Sequence, residues 1–549
     1  MPNSAQTQDL RPDSTLSWVA GPHAPAFAPA DIAAALAQPR VTAHVIRDPV
    51  SGAIGIGLAG TPSPVPRAPS AVPRLELLGS LPPLYPEWLG DRGFAEVHRT
   101  RFAYVGGAMA NGIASTRMVI ELARQGFLGF FGAAGLSLAR IEAAIEELQR
   151  ELDPQQLPWG VNLIHSPAEP AHEEAVAELL LRRGVRCVEA SAYLRLTPAV
   201  VRYACTGLTR GADGQVRRAH RVIAKVSRTE VARQFLNPPP AALLQKLLDR
   251  GQLTAQEAEL AATIPLVEDL TAEADSGGHT DNRPMAVLVP ELAALRTHIA
   301  AERGYTRPIR IGAAGGLGTP AAVAAAFALG ADYVQTGSVN QSCVEAGLGA
   351  AARAQLAQAE MADVTMAPAA DMFEMGVDVQ VLRRGTLFAP RARKLYELYK
   401  SYPALDAIPT TEREKVESTI LRASFDEAWA STRSFWLGRD PKQVERAERD
   451  PKHQMALVFR SYLGLASRWA IDGLAGRESD YQIWCGPAMG AFNSWVRGSF
   501  LEDPEARTVV QVARNLLEGA AVISRAQQLR SFGAPVPASA FDFRPRPLA

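Results

Sequence analysis

A chain of 549 residues is too long for one compact domain, so two or three folding units are expected. Hydrophobic residues make up 47%, and 57 basic side chains balance 57 acidic ones, which suits a globular protein with a large core and argues against nucleic acid or an anionic membrane as main partner. The four cysteines (Cys187, Cys205, Cys343, Cys485) lack CxxC or Cys/His spacing, the start has no basic-then-apolar pattern, and no run reaches the ~18 apolar residues of a membrane helix, so a cytoplasmic protein without disulfides or a metal site is expected.

Residues 1–95 are rich in proline and alanine, with strand-like pieces at 41–47 and 54–58. They read as an N-terminal extension whose polar first dozen residues are disordered. From 102 a pattern of strand, glycine-rich turn and helix repeats. The strands fall at 102–105, 127–131, 159–164, 185–189, 221–226, 266–273, 309–313 and 331–335. Ser137 caps one of the following helices. Thr319 caps another, with Pro320 at its first helical position. A polar hairpin at 211–214 and a helical insertion at 241–262 interrupt the repeat. Eight such units imply a parallel sheet closed into a (β/α)8 TIM barrel, an α/β fold, over 96–345. Beyond 340 the strands stop. A helix at 345–362 opens a helical domain (346–500), and 501–549 forms a last helix and tail that can return to the barrel.

Active sites of such barrels lie at the carboxyl ends of the strands. The seventh strand empties into Gly315-Gly316-Leu317-Gly318 and the eighth into Thr336-Gly337-Ser338. Together these form an anion site where backbone N–H groups can reach a phosphate. The polar residues at strand ends are few: Asn162, Glu189, Lys225, Ser227, Glu273, Asp275, His279, Asp281 and Gln335. They include no carboxylate cluster for a metal and no Ser/His/Asp order for acyl transfer. Few acids and bases beside much exposed backbone suit a cofactor that carries the reactivity, and FMN fits, its ring over the barrel mouth. His279, between glycines and Asp281, is the candidate for proton transfer, or for a hydrogen bond to the flavin. Lys225 either stabilises the reduced flavin or is a solvated strand end. Of Glu273 and Asp275, one is expected to serve structure, and Cys187 and Cys343 are expected to be small core residues. The basic, tyrosine-bearing stretch 383–402 docks an acidic partner such as an acyl carrier protein, or is a solvated helix face. The Met-rich stretch 361–375 lines an acyl pocket, or is ordinary core.

GGAMANGIAS (106–115), WGVNLIHSP (159–167), VIAKVSR (222–228), EADSGGHTDNRP (273–284) and GPAMGAFNSWV (486–496) together resemble the nitronate monooxygenase and FMN-dependent enoyl reductase superfamily. The resemblance is nearest to the PfaD-type, trans-acting enoyl reductases of polyunsaturated fatty acid and trans-acyltransferase polyketide synthases. It implies an FMN barrel with a helical substrate-binding domain, NADPH or NADH as reductant, and an enoyl thioester on an acyl carrier protein as substrate. It places phosphate contacts on Gly315, Gly316, Gly337 and Ser338 and ring contacts on Gly107, Asn162, Lys225 and Gln335. Ala108, Glu189, Gly278, Ala314 and Thr336 complete the cofactor set. His279 and Lys225 are the catalytic candidates, with His279 or water supplying the proton to the α-carbon. The resemblance is compatible with a homodimer within a synthase assembly. A nitronate monooxygenase-like oxidase and a non-redox phosphate-ligand barrel (isomerase or lyase) stand as alternatives.

Overall fold

The computed structural model describes residues 16–64, 74–167 and 169–548; the first dozen residues, expected to be disordered, lie outside them. Two compact units emerge, one of residues 1–89 with 515–545 and one of 90–514 with 546–549. These cuts differ from the segments expected from composition. The helical region shares a unit with the barrel, and the last helix, Val509–Ser531, is divided between the two units.

In the smaller unit, β1 (Leu16–Val19), β2 (Ala43–Arg47), β3 (Ile54–Leu58), β4 (Thr61–Pro64) and β5 (Leu75–Leu81) form an antiparallel sheet in the order β3-β2-β5-β1-β4. Its core joins Val45 and Ile56 of the sheet to Ile32 and Leu36 of the helix Pro29–Leu36 and to Ala526 and Leu529 of the last helix.

In the larger unit, β6 (Tyr104–Gly106), β7 (Leu128–Phe131), β8 (Trp159–Ile164), β9 (Cys187–Ser191), β12 (Arg221–Val226), β13 (Asp269–Glu273), β14 (Arg310–Ala314) and β15 (Tyr333–Thr336) form a closed, all-parallel barrel. The expected polar hairpin is β10 (Thr209–Arg210) paired with β11 (Val216–Arg217). The N-caps are built as the hydroxyls dictate: Ser137 accepts from the Arg140 amide and Thr319 from the Ala322 amide. Side chains fill the barrel interior. Val105, Leu128, Phe130, Cys187, Ile223 and Tyr333 meet Phe94, which the helix Arg92–His98 inserts at the amino-terminal end. Cys343 is also buried.

That end is tied by a buried charge group. Asp269 receives the Arg310 guanidinium at 2.6 and 3.0 Å, and His98 Nε2 lies 3.0 Å from its other face. Burial alone would raise the Asp269 pKa, but His98 and Arg310 outweigh it and hold the carboxyl well below the usual range. A depressed carboxylate pKa adds stability above its unfolded value, and the gain is lost as pH falls through the folded value. Asp269→Asn should therefore cost roughly 3–5 kcal/mol of unfolding free energy near neutrality, because it leaves Arg310 buried without its counter-charge. Denaturant titration of variant and wild type should show the gap narrowing below about pH 4.

The strands do not stop after 340. β16 (Val364–Pro368) and β17 (Asp378–Leu382) form an antiparallel hairpin, and the helix expected over 345–362 is only Ala350–Ala357. The helices Phe388–Ser401, Phe425–Arg439 and Pro451–Asp472 follow. Phe373, Phe388, Leu395, Phe425, Phe459 and Tyr462 form the core of this region. Among the described residues no helix is long and apolar enough to cross a membrane.

Candidate active site

A cavity of about 930 Å³ opens at the carboxyl ends of the barrel strands and runs up between the helices Phe425–Arg439 and Pro451–Asp472. Its walls include Gly107, Ala108, Asn162, Lys225, Gly278, His279, Ala314, Gly315, Gly316, Gln335, Thr336, Gly337 and Ser338. The twelve expected cofactor residues other than Glu189 are thus brought together with His279. Glu189 is fully buried and does not line the cavity. Its carboxylate accepts from the Gln335 amide at 2.6 Å and from the Ala108 N–H at 3.1 Å. It holds the wall from behind, which corrects the expectation of a cofactor contact. Burial pushes its pKa up, with Lys225 opposing.

The glycine loops after β14 and β15 leave an open cradle at the cavity floor. A Cβ built on Gly316 or Gly337 would meet nothing within 4 Å. Gly315 and Gly316 have φ of +85° and +72°, a region that glycine enters without strain. The short helix Ser338–Gln341 starts at the cradle, and the first N–H groups of a helix have no intrahelical partner. The Ser338 hydroxyl accepts from the Gly486 amide at 3.1 Å, linking the cradle to the 486–496 stretch. Beside the cradle, the Gly107 N–H donates to the Thr336 carbonyl at 3.0 Å, and a Cβ on Gly107 would strike the Gln335 amide nitrogen at 2.5 Å, so the two pack together as one polar shelf. The Asn162 amide, donating to the Glu189 carbonyl at 3.0 Å and the Ser191 hydroxyl at 2.8 Å, extends it.

Lys225 faces the cavity paired with Glu273 at 3.0 Å. Burial opposes its charge, but Glu273 and Glu189 outweigh this and lift its pKa to about 12. The reading as a solvated strand end falls, since the side chain is only 16% exposed. Asp275 is the structural member of its pair, accepting from Gln380 at 2.7 Å and Asn282 at 2.9 Å.

Asp281 does not flank His279. It is claimed by Arg228 at 2.7 and 2.8 Å and by the Ser227 hydroxyl, which hold its carboxylate on the β12 loop. The carboxylate beside His279 is Asp371, on the turn between β16 and β17, 3.3 Å from Nε2. Sequence reasoning missed Asp371 and Gln380. The methionines at 361–375 do not line the cavity; Met361 and Met375 are exposed and Met372 is buried. The charges of 383–402 are largely compensated, with Arg391 on Asp480, Arg393 on Asp378 and Lys394 on Glu412. That favours a solvated helix face over an acidic docking site. Barrel and helical region meet at the cavity rim through the Arg439 guanidinium, which donates twice to Glu169 at 2.8 Å.

Residues 94–389 match the nitronate monooxygenase family, and 402–481 match the inserted helical domain of acyl-carrier-protein S-malonyltransferase. The chain is 47% identical over 451 residues to a subunit of the polyunsaturated fatty acid synthase of a Thraustochytrium species, covering 81% of this chain and 30% of that protein. It is 44% identical over 437 residues to polyketide biosynthesis protein PksE of Bacillus subtilis, covering 80% of this chain and 56% of that one. The chain thus spans from under a third to a little over half of these relatives' length. The crystal structure of the enoyl reductase domain of MlnA, from the macrolactin biosynthesis cluster of Bacillus amyloliquefaciens, superposes with a TM-score of 0.77 at 36% identity, covering 81% of this chain and 99% of that one. The family match over more than half the chain, and near-complete coverage of that domain, agree with the barrel and its glycine-lined mouth: the chain belongs to the nitronate monooxygenase family, on its PfaD-type enoyl reductase branch.

Proposed function

We propose that the chain is a trans-acting enoyl reductase that uses FMN with NADPH or NADH to reduce the α,β-double bond of an acyl-carrier-protein thioester in polyketide or polyunsaturated fatty acid synthesis. What carries the reading is the pairing, in one cavity, of an open two-loop glycine cradle with a polar shelf of Gly107, Asn162 and Gln335 and a histidine on a glycine turn. These residues fit FMN: the amides of Gly315, Gly316, Gly337 and Ser338 would hold its phosphate, and the shelf of Gly107, Asn162 and Gln335 its ring. The chemistry FMN supplies when bound is two-electron transfer from a nicotinamide to the substrate double bond. Lys225 offers a fixed positive charge beside the shelf, countering negative charge that develops there. His279 carries the proton for the α-carbon at Nδ1, since Nε2 faces Asp371. The helices above the barrel exclude water from the reacting atoms. Relatives named for polyunsaturated fatty acid synthase and polyketide biosynthesis support a carrier-protein partner, and four buried, unpaired cysteines suit the cytoplasm.

The purified protein is expected to be yellow and to oxidise NADPH or NADH only when a crotonyl thioester is added. A colourless protein that gains no visible absorption with added FMN would overturn the flavin reading. Oxygen uptake with an alkyl nitronate, without thioester turnover, would move the activity to nitronate oxidation.

A further inference from the structure

The histidine turn is held from outside the barrel. Gly278 and Gln380 of β17 exchange two backbone hydrogen bonds, at 2.9 and 2.8 Å. The Gln380 amide also donates to the Ser276 carbonyl at 2.7 Å. The hairpin turn sets the Asp371 carboxylate 3.3 Å from His279 Nε2, and that nitrogen has no hydrogen-bond partner among the described residues. The hairpin turn is pinned in its own right. Arg460 donates to the Ala370 carbonyl at 2.8 Å and to Glu374 at 3.1 Å, and Glu374 meets the buried His453 at 3.1 Å. A fixed carboxylate beside one imidazole nitrogen, with the other nitrogen left free, is how a proton-transferring histidine is oriented. The contact lacks hydrogen-bond alignment, a looseness that such pairs lose when ligand closes the site.

We propose that Asp371, on a hairpin outside the barrel, is the positioning residue that orients His279 and keeps its imidazole protonated; the identity of the proton acceptor rests on the enoyl reductase reading. In that step the Nδ1–H bond breaks, the new α-carbon–hydrogen bond takes up the electron pair left on the α-carbon, and the neutral imidazole regains a proton from water. The charged groups facing His279 are Asp371 from the hairpin, Glu273 from β13 and Lys225 from β12, while Arg460 faces Asp371. Lys225 and Glu273 pair with each other, so Asp371 tips the balance. Burial disfavours the imidazolium, Asp371 and, to a smaller extent, Glu273 together outweigh it, and the His279 pKa sits above its ordinary value. The protonated form is complete below that ordinary value and is lost as pH rises through the raised one.

The test titrates His279 in the full chain without using turnover. Hydrogen–deuterium exchange at the imidazole Cε1, read peptide by peptide by mass spectrometry, reports the protonation of each histidine across pH. Wild-type His279 should titrate above about 6.5, Asp371→Asn should lower the midpoint by about one pH unit, and Asp371→Glu should restore most of it. With a crotonyl thioester, Asp371→Asn should lower kcat by roughly tenfold or more, leave KM within about threefold, and move the alkaline fall in kcat to lower pH. Identical His279 titration in wild type and Asp371→Asn overturns the proposal. So does a wild-type midpoint at or below the ordinary value, which decides the matter even if the asparagine variant misfolds. If the titration shifts as expected but no thioester is reduced, the enoyl reductase reading fails and the role of Asp371 stands.

Discussion

Gly337→Leu should yield a folded protein that has lost its flavin. Gly337 has a φ of −132°, outside the left-handed region, and a Cβ there meets no protein atom within 4 Å. Within the chain, then, the substitution meets no steric obstacle at the Cβ. The added side chain occupies the space between the seventh and eighth loops, where the proposed phosphate lies. The expected result is FMN affinity weakened by at least about 100-fold, roughly 3 kcal/mol, and loss of visible absorption after gel filtration. The melting temperature should match that of wild type stripped of FMN and fall below that of the loaded enzyme, because bound ligand stabilises only the folded state. Gly337→Ala should be intermediate. Retention of flavin by the leucine variant would place the phosphate elsewhere and undo the proposed cofactor site.

His279→Gln should spare flavin binding and remove turnover. The turn that carries position 279 is fixed by backbone bonds from Gln380, which glutamine does not disturb, and the cradle lies on other loops. A positioned general acid contributes about 10²–10⁴-fold, so kcat with a crotonyl thioester should fall by that factor. Reduction of the flavin by the nicotinamide, followed under anaerobic stopped flow, should change little, since that half of the cycle needs no proton from His279. In wild type, activity should decline on the alkaline side as the imidazolium is lost, at a pH above the ordinary histidine value of about 6.5. A variant within about threefold of wild type would assign the proton to water.

The barrel was legible because each of its strands is a short apolar run that ends in glycine or a small polar residue, and a helix signal follows nearly every time. All eight expected strands are present, with ends shifted by at most three residues. That the two glycine loops meet at one cavity was legible for the same reason: Gly315, Gly316 and Gly337 stand directly after strands, at the barrel mouth. The hairpin was not. Val364–Pro368 and Asp378–Leu382 form their ladder with each other, in a stretch that hydrophobic content alone makes look like core. The clue was Val377-Asp378-Val379-Gln380-Val381, an apolar–polar alternation of period two. Asp371 and Gln380 were unreadable as site residues because they stand about a hundred positions from His279 and are brought to it only by that hairpin. Glu189 misled in the opposite way. A carboxylate near a strand end looks available to ligand, yet this one is turned inward and spent on Gln335 and Ala108.

The β16–β17 hairpin also bears on engineering. Anyone exchanging helical regions between members of this family would cut naturally where the eighth strand ends. A graft made there would set a foreign hairpin against the native glycine–histidine turn, so that the Gln380 side-chain bond to Ser276 and the Asp371 carboxylate beside His279 would depend on what the donor carries at those positions. The safer junction lies after Leu382, so that the hairpin travels with the barrel it braces.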